Sequence, residues 1–332
     1  MRVPSVLPAA PRSWYFVCRG RDVGIGRIVP WSLLGTSFVL YRGQSGRVIA
    51  LDAHCPHMGA HLAQGDVVGD RLRCAMHHWV LDASGTCRGP GGACLHHDTF
   101  PVVEQYGAVF ICADARVTFP LPVIPDDDGR SLHVVMGESE TVETSWPGIM
   151  ANAFDTEHIL AVHHRALLEP PSITQLDTHG IELRYASRVT GRGVSDRAMK
   201  WLSNDRILVT IRCWGGTVMT VRSEVGSRVG RLFVSVTPSP SGAIVTPFVG
   251  VPKSGLPPLD ALAARFSLWL FTTFLRRDLL SLKNMDFRLE GALQSQGPVA
   301  NLAAWLLTLP GVRSRFSQDQ RTSTGSVPKI EI

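Results

Sequence analysis

Two similar pairs of potential metal ligands lie between His54 and Cys94, in the stretch HCPHMGAHLAQGDVVGDRLRCAMHHWVLDASGTCRGPGGAC. Cys55 and His57 form the first pair, and Cys74 and His77 form the second pair after sixteen further residues. Each pair offers one thiolate and one imidazole. Glycine, aspartate and proline interrupt the short β-like runs around both pairs, so we expect each pair to lie on a loop between strands.

Two kinds of metal site could use these four ligands. A [2Fe–2S] centre of the Rieske type needs two cysteines on one iron and two histidines on the other. A structural zinc ion would also accept two cysteines and two histidines. Zinc-finger spacing keeps the two cysteines together and the two histidines together, whereas here the residue types alternate. The spacing therefore favours the iron–sulfur cluster, with zinc as the alternative.

The composition narrows the class of protein. The chain has 332 residues, of which 45% are hydrophobic, and this content excludes an intrinsically disordered chain. Lys and Arg number 33 against 28 Asp and Glu, a net charge of +5 without a basic run, so we expect no nucleic-acid partner. We also expect no transmembrane segment, because no uncharged apolar stretch reaches about 18 residues.

The cysteine count argues for metal binding rather than for a disulfide framework. The chain contains seven cysteines, which is an odd number. We expect a cytoplasmic protein, and the reducing cytoplasm keeps thiols free. Metal binding is then the first interpretation for cysteines that have histidines at a regular spacing.

The sequence predicts two domains joined by a short linker. Residues 1–120 contain short β-like runs and predict a small antiparallel β domain. Residues 121–130 are rich in proline and aspartate and predict the linker. Residues 131–332 predict an α+β domain, in which helices precede and follow a set of strands. Within it, we expect a helix over Ile149–Leu168 and one long helix or two over Pro257–Gln294.

A second group of metal ligands lies in the predicted helix of the second domain, in the sequence NAFDTEHILAVHH. It contains Asn152, Asp155, His158 and His163. Two imidazoles and one carboxylate on one face of an iron form the facial triad of non-haem Fe(II) oxygenases. The alternative is an amphipathic helix with surface histidines. His164 is a rival ligand to its neighbour.

Helix geometry restricts how the two histidines could share one metal. Asp155 and His158 share a helix face at a spacing of three residues. Between His158 and His163, five residues of ideal helix turn by about 500°, which leaves the two side chains about 140° apart. We therefore expect the helix to bulge or to end near His163.

Both groups of ligands resemble one family of enzymes, the Rieske-type non-haem iron oxygenases. Their pattern in the second domain is Asp-x-x-His-x(4)-His with Asn or Glu three residues earlier. The motifs are most similar to those of the subgroup of 3-ketosteroid hydroxylases and sterol desaturases. The motifs in the first domain are Cys55-Pro-His57-Met-Gly59, Cys74-x-x-His77-x-Trp79 and Asp82-x-x-Gly85-x-Cys87. One position departs from the family: His78 stands where glycine is usual.

The resemblance implies a role for each matching residue. His158 and His163 would bind a mononuclear Fe(II). Asp155 would bridge an iron-bound and a cluster-bound histidine across a subunit interface, with Asn152 one helical turn before it. The third iron ligand would be a carboxylate on the C-terminal helix. Asp286 fits the family pattern best. Of the other candidates, Asp278 and Glu290, we expect both to be ordinary charges on the helix surface.

The resemblance also implies a fold and an activity. The second domain would be a helix-grip fold, a curved antiparallel sheet against a long C-terminal helix. The protein would be the terminal oxygenase of a homotrimeric system that hydroxylates, demethylates or desaturates a bulky hydrophobic substrate with O2. Electrons from NAD(P)H would arrive through a separate ferredoxin or flavin reductase. The alternative is a Rieske electron carrier without oxygenase chemistry. We expect the apolar run Phe266–Leu275 to face the core, with a membrane surface or a substrate-entry surface as the alternative.

Overall fold

The structure, a computed structural model, describes residues 7–114, 117–125, 129, 131–192 and 194–312. Its N-terminal part consists of short strands with two 3-10 helices, Gly20–Asp22 and Leu62–Gln64. The strands are β1 Trp14–Arg19, β2 Ile28–Leu33, β3 Thr36–Arg42, β4 Val48–Asp52, β5 Asp66–Val68, β6 Arg71–Arg73, β7 Val80–Leu81, β8 Thr86–Arg88, β9 Cys94–His96, β10 Thr99–Phe100, β11 Val102–Gln105 and β12 Ala108–Cys112.

The N-terminal strands form three antiparallel sheets, which confirms the predicted β domain. Their strand orders are β1-β12-β11, β10-β4-β3-β2 and β5-β6-β7-β8-β9. The loop after β4 carries the first Cys/His pair, and the loop between β6 and β7 carries the second pair. Both pairs therefore lie on loops, as the glycine and proline pattern predicts.

In the residues that the structure describes, the C-terminal part combines one large sheet with six helices. The strands are β13 Leu132–Met136, β14 Glu140–Val142, β15 Arg165–Leu167, β16 Ser172–Gln175, β17 Gly180–Val189, β18 Ile207–Trp214, β19 Val218–Val225, β20 Arg228–Ser239 and β21 Gly242–Pro252. The helices among the described residues are α1 Trp146–Phe154, α2 Thr156–Ala161, α3 Val194–Ser203, α4 Pro257–Leu282, α5 Leu289–Gln294 and α6 Pro298–Leu306.

The nine strands pair antiparallel in the order β13-β21-β20-β19-β18-β17-β15, with β14 on β21 and β16 on β17. Helix α4 packs against β13 and β21, and its partly buried Phe271, Leu275 and Leu279 contact the main core. This is the predicted α+β arrangement of an antiparallel sheet against a long helix. No helix of the described residues has the length and apolar content needed to cross a bilayer.

Two sequence-based expectations about helices need correction. The helix predicted over Ile149–Leu168 is two helices, α1 and α2, followed by strand β15, because Asp155 between them has an extended backbone (φ −82°, ψ 100°). The run Phe266–Leu275 is only partly core-facing. Its residues Phe271 and Leu275 face the core, whereas Phe266 and Trp269 lie at the surface.

An aromatic cluster joins the two parts of the molecule. Phe16 and Phe110 from the N-terminal sheet contact Phe248 of β21 with ring centroids 6.0 and 5.7 Å away. Phe233 of β20 lies 5.4 Å from Phe248 in an edge-to-face arrangement. Such aromatic pairs add about 0.5–1.5 kcal/mol each beyond the burial of their area. The two parts therefore share one core at this junction.

Replacing Phe248 by Ala should lower the apparent Tm by about 5–15 °C, because the ring is fully buried and fills the shared core. Differential scanning calorimetry measures the change. Val123→Ala, at a side chain that is 63% exposed, is the control and should leave Tm nearly unchanged. Equal Tm values for wild type and Phe248→Ala would contradict a shared core.

Candidate metal centres

The two Cys/His loops have the same backbone hydrogen bonds. The N–H of Cys55 donates to the carbonyl of Ala60 at 2.9 Å, and the N–H of Gly59 donates to the carbonyl of Cys55 at 2.9 Å. In the second loop, the N–H of Cys74 donates to Trp79 at 2.8 Å, and the N–H of His78 donates to Cys74 at 3.0 Å. Each loop thus turns within the same number of residues and presents its histidine at the equivalent place.

The shared turn explains why glycine would suit position 78, where this chain has histidine. Gly59 has a φ of +76°, and His78 at the matching place has a φ of +57°. This left-handed region suits glycine, and a residue with a Cβ atom loses roughly 1–2 kcal/mol there. The second loop therefore adopts a strained backbone that the first loop avoids.

Aromatic stacking orients the histidines. The ring of His57 stacks on Trp79 with centroids 4.5 Å apart and an angle of 15°. The ring of His77 lies 4.8 Å from that of His57 at 79°. A Cβ atom added at Gly89 would lie 2.6 Å from the Trp79 ring, so the glycine-rich turn packs directly on this ring. His77 is exposed, whereas Cys55 and Cys74 are buried.

The cysteine environment fits a positively charged metal group. Burial raises the pKa of Cys55, and the backbone N–H of His57 opposes that effect. A third buried thiol, Cys87, contacts Cys55, and burial raises the pKa of Cys87 to about 12. Because ligation requires the thiolate form of Cys55, the iron charge must stabilise an anion that burial of this side chain disfavours.

A single zinc ion would hold its four ligand atoms close together. A tetrahedral zinc with bonds of about 2.0–2.3 Å holds its ligand atoms roughly 3.3–3.8 Å apart. Throughout the described residues, only one group of three or more His, Cys, Asp or Glu has all its ligand atoms within 4.8 Å, and that group lies in the second domain. Among the described residues, no three ligand atoms of the two loops meet this limit.

The compact group consists of His158, His163 and Asp278. Oδ1 of Asp278 lies 3.0 Å from Nε2 of His158 and 2.6 Å from Nε2 of His163. The two imidazole rings are 5.3 Å apart at 75°. All three side chains are largely buried. Two imidazoles and one carboxylate in this arrangement match the facial set that binds non-haem Fe(II).

The end of a helix brings the two histidines together. Helix α2 ends at Ala161, and His163 lies beyond it, so the turn of about 140° between the histidines on an ideal helix does not apply. His164 has a φ of +53°, and its carbonyl accepts hydrogen bonds from the N–H and the hydroxyl of Thr190. That backbone fixes the chain direction after His163. The expectation of a helix end near His163 is confirmed.

The structure does not bring Asp286 to the two histidines and places Asp278 there instead. Its side chain is 75% exposed and lies 2.8 Å from Arg288. Helix α4 ends at Leu282, Asn284 turns the chain with a φ of +59°, and the Thr144 hydroxyl donates to the carbonyl of Met285. Asp286 therefore falls outside the helix that faces the histidines. Glu290, on α5, is also exposed.

A sequence signal for Asp278 was present. It lies on α4 three residues after Leu275 and four before Leu282, both of which face the core. A carboxylate on the apolar stripe of an amphipathic helix needs a buried partner. Burial raises the pKa of Asp278, but the hydrogen bonds and charges of His158 and His163 outweigh burial and lower it overall.

Asp155 occupies the break between α1 and α2. Its Oδ1 atom accepts hydrogen bonds from the N–H groups of Glu157 and His158 at 2.9 and 3.0 Å, which caps α2. The carbonyl of Asn152 accepts a hydrogen bond from the N–H of Asp155 at 3.3 Å. This cap holds the first turn of α2, from which His158 projects towards Asp278.

Residues 13–106 match the Rieske [2Fe-2S] domain family. The chain is 34% identical over 170 residues to a cholesterol 7-desaturase of Bombyx mori, which covers 48% of this chain and 37% of that protein. It is 31% identical over 203 residues to a protein of Rhodococcus rhodochrous named "Probable 3-ketosteroid-9-alpha-monooxygenase, oxygenase component", covering 55% and 49%. The matched segment thus spans about a third to a half of these relatives.

The crystal structure of dicamba monooxygenase bound to dicamba has a similar fold. The TM-score is 0.62 at 18% identity, and the alignment covers 91% of this chain and 98% of that chain. The likeness therefore extends beyond the Rieske domain and includes the sheet and helices that carry the second group of ligands.

Asp278→Asn should lower the mononuclear iron content by at least about tenfold, because the amide is a poorer iron ligand than the carboxylate. The cluster should be retained. Iron analysis together with the visible spectrum of the cluster separates the two centres. Asp286→Asn is the matched control and should bind as much iron as the wild type. Loss of iron in the control but not in Asp278→Asn would reverse the assignment.

His78→Gly should stabilise the second cluster loop by about 1 kcal/mol, because glycine relieves the left-handed backbone. Gly59→Ala should destabilise the first loop by a similar amount, since a Cβ atom there meets no neighbour and only the backbone is strained. The temperature at which cluster absorbance is lost measures both changes. Shifts of the same sign would contradict the shared turn geometry.

Proposed function

We propose that the chain is a Rieske-type non-haem iron oxygenase, and that it is the terminal oxygenase that oxidises a bulky hydrophobic molecule with O2. The reaction is hydroxylation, demethylation or desaturation. The observation that carries this proposal is the meeting of His158, His163 and Asp278 in a chain that also carries the two Cys/His loops.

The two centres have separate roles in this proposal. Cys55, His57, Cys74 and His77 hold the [2Fe–2S] cluster, and His158, His163 and Asp278 hold the mononuclear iron. The cluster supplies single electrons and the iron supplies a site for O2 activation. Binding of a metal requires Nε2 of both histidines without a proton, and the Asp278 carboxylate stabilises the positive charge that replaces those protons.

Apolar side chains around the iron ligands support a hydrophobic substrate. Leu275 and Leu279 flank Asp278 on α4, and Ile159 follows His158 on α2, all packed against the main core. Such surroundings exclude water and favour an apolar molecule next to the metal. The names of the Bombyx and Rhodococcus relatives refer to sterols and 3-ketosteroids. We therefore propose a steroid, a terpenoid or a polyketide-like molecule as substrate.

Electrons reach the protein from NAD(P)H through a separate ferredoxin or flavin reductase. The proposed assembly is a cytoplasmic homotrimer in which Asp155 connects the iron site of one protomer with the cluster of its neighbour. Of the two carboxylate oxygens of Asp155, only Oδ1 accepts hydrogen bonds from the described residues, and these come from the first turn of α2. Oδ2 is the atom that this bridge would use.

Asp155→Asn should lower turnover by about 10–100-fold, because it removes the carboxylate that orients a ligand histidine. Asn caps helices as well as Asp, so α2 should remain folded. The cluster should still be reduced by dithionite, which its visible spectrum reports. Glu157→Gln, on the exposed side of α2, is the control and should retain activity. Wild-type turnover by Asp155→Asn would contradict the bridging role.

Turnover of the holoprotein tests the proposed function itself. Iron-loaded protein is mixed with a ferredoxin, its reductase, NADH and a panel of sterols, terpenoids and polyketides. We expect that one class stimulates O2 consumption and yields an oxidised product. A protein that passes electrons to an added acceptor, but forms no product and loads no mononuclear iron, would be an electron carrier instead.

A further inference from the structure

Helix α4 is apolar on two opposite sides. Its inner side packs on the core through Ala264, Phe271, Leu275 and Leu282. Its outer side lies at the surface and is also apolar. A helix that is apolar all round normally has its whole surface covered. The outer side of α4 therefore lacks a cover within the described chain.

The outer face, as we use the term, comprises the exposed residues of α4 and the leucine before it. Phe266 and Trp269 are each 61% exposed, and their rings stack with centroids 5.8 Å apart. The face extends over about 21 Å, given 1.5 Å per helical residue. Its apolar members are Leu256, Leu259, Leu262, Phe266, Trp269 and Leu270.

The exposed charged side chains of this helix all have the same sign. Arg265, Arg276 and Arg277 are exposed, and Arg276 also lies 3.8 Å from Glu140 of β14. The two acidic residues in the described part of α4 do not lie on the outer face. Asp260 is buried and accepts hydrogen bonds from Ser254, and Asp278 contacts the two histidines.

We propose that the outer face of α4 binds the surface of an anionic lipid bilayer, with the helix axis parallel to the membrane plane. Leucine, phenylalanine and tryptophan on the buried face with arginines beside them are the composition of interfacial helices. Aromatic rings such as that of Trp269 favour the boundary between head groups and acyl chains. The arginines would contact lipid phosphates.

The charge pattern favours a membrane over two protein partners. In the trimer proposed above, copies meet through Asp155 of one protomer and the cluster loops of its neighbour, and Asp155 lies at the start of α2 rather than on α4. In a two-fold contact between copies of this chain, the outer face would meet itself, and its arginines would face arginines without acidic partners. Redox partners bind through small and largely polar interfaces, whereas the outer face of α4 is a continuous apolar strip. An anionic bilayer satisfies both the apolar strip and the positive charge.

The position of the outer face suggests how substrate reaches the iron, and this part of the inference rests on the proposed function. Asp278 lies on the inner side of the same helix, so one helix diameter, about 10 Å, separates the lipid surface from the proposed iron site. A hydrophobic substrate dissolved in the membrane would reach the site along this helix. Lipid binding itself requires neither iron nor turnover.

Vesicle flotation of the full-length holoprotein tests the proposal. Vesicles of phosphatidylcholine with about 30% phosphatidylglycerol should carry the protein at low salt. The double variant Phe266→Ser/Trp269→Ser should bind at least about tenfold more weakly. Trp201→Ser, at an 80% exposed tryptophan of α3, is the matched control and should bind as the wild type does. Arg265→Ser/Arg277→Ser should lose the preference for anionic over neutral vesicles.

Three outcomes would overturn the proposal. Wild type could fail to float with anionic vesicles, the double variant could float as well as the wild type, or Trp201→Ser could weaken binding equally. Light scattering after size-exclusion chromatography tests whether a second copy of the chain covers the face instead. If the double variant has a smaller mass than the wild type and neither binds vesicles, the face is a contact between copies. The visible cluster spectrum verifies that each variant is folded.

Discussion

The contact of one carboxylate with two imidazoles is the constraint on which the catalytic half of this molecule depends. Oδ1 of Asp278 lies within 3.0 Å of Nε2 of both His158 and His163, although 120 and 115 residues of chain separate these positions. A largely buried carboxylate without partners would cost several kcal/mol. The sheet, α2 and α4 must therefore meet in one arrangement for Asp278 to remain charged.

Two local features of the backbone make that arrangement possible. Asp155 interrupts the helix and starts α2, so that His158 projects from its first turn. The left-handed residue His164 then turns the chain into β15, which pairs with β17. Without this early end, five residues of helix would direct His163 away from His158. A break in the helix, which local helix propensity alone disfavours, thus brings the metal ligands together.

The sequence indicates the metal ligands that lie close together in the chain, but not the carboxylate ligand that lies more than 100 residues away. The cluster ligands follow from spacing within one stretch, and the histidines follow from a motif whose helix must end early. Asp278 and Asp286 resemble each other in local sequence, and the choice between them depends on where α4 ends. That end depends on contacts such as the hydrogen bond from Thr144 to Met285, which sequence periodicity does not contain. Likewise, the apolar run of α4 does not reveal which of its two sides the sheet covers.

Nitric oxide binding to the reduced, anaerobic holoprotein tests the central claim most directly. Nitric oxide gives Fe(II) with open coordination positions a characteristic EPR signal, and a fully ligated iron–sulfur cluster lacks such positions. We predict one nitrosyl-iron signal per chain beside the signal of a reduced Rieske cluster. The cluster signal alone, after incubation with excess Fe(II), would contradict an iron site formed by His158, His163 and Asp278.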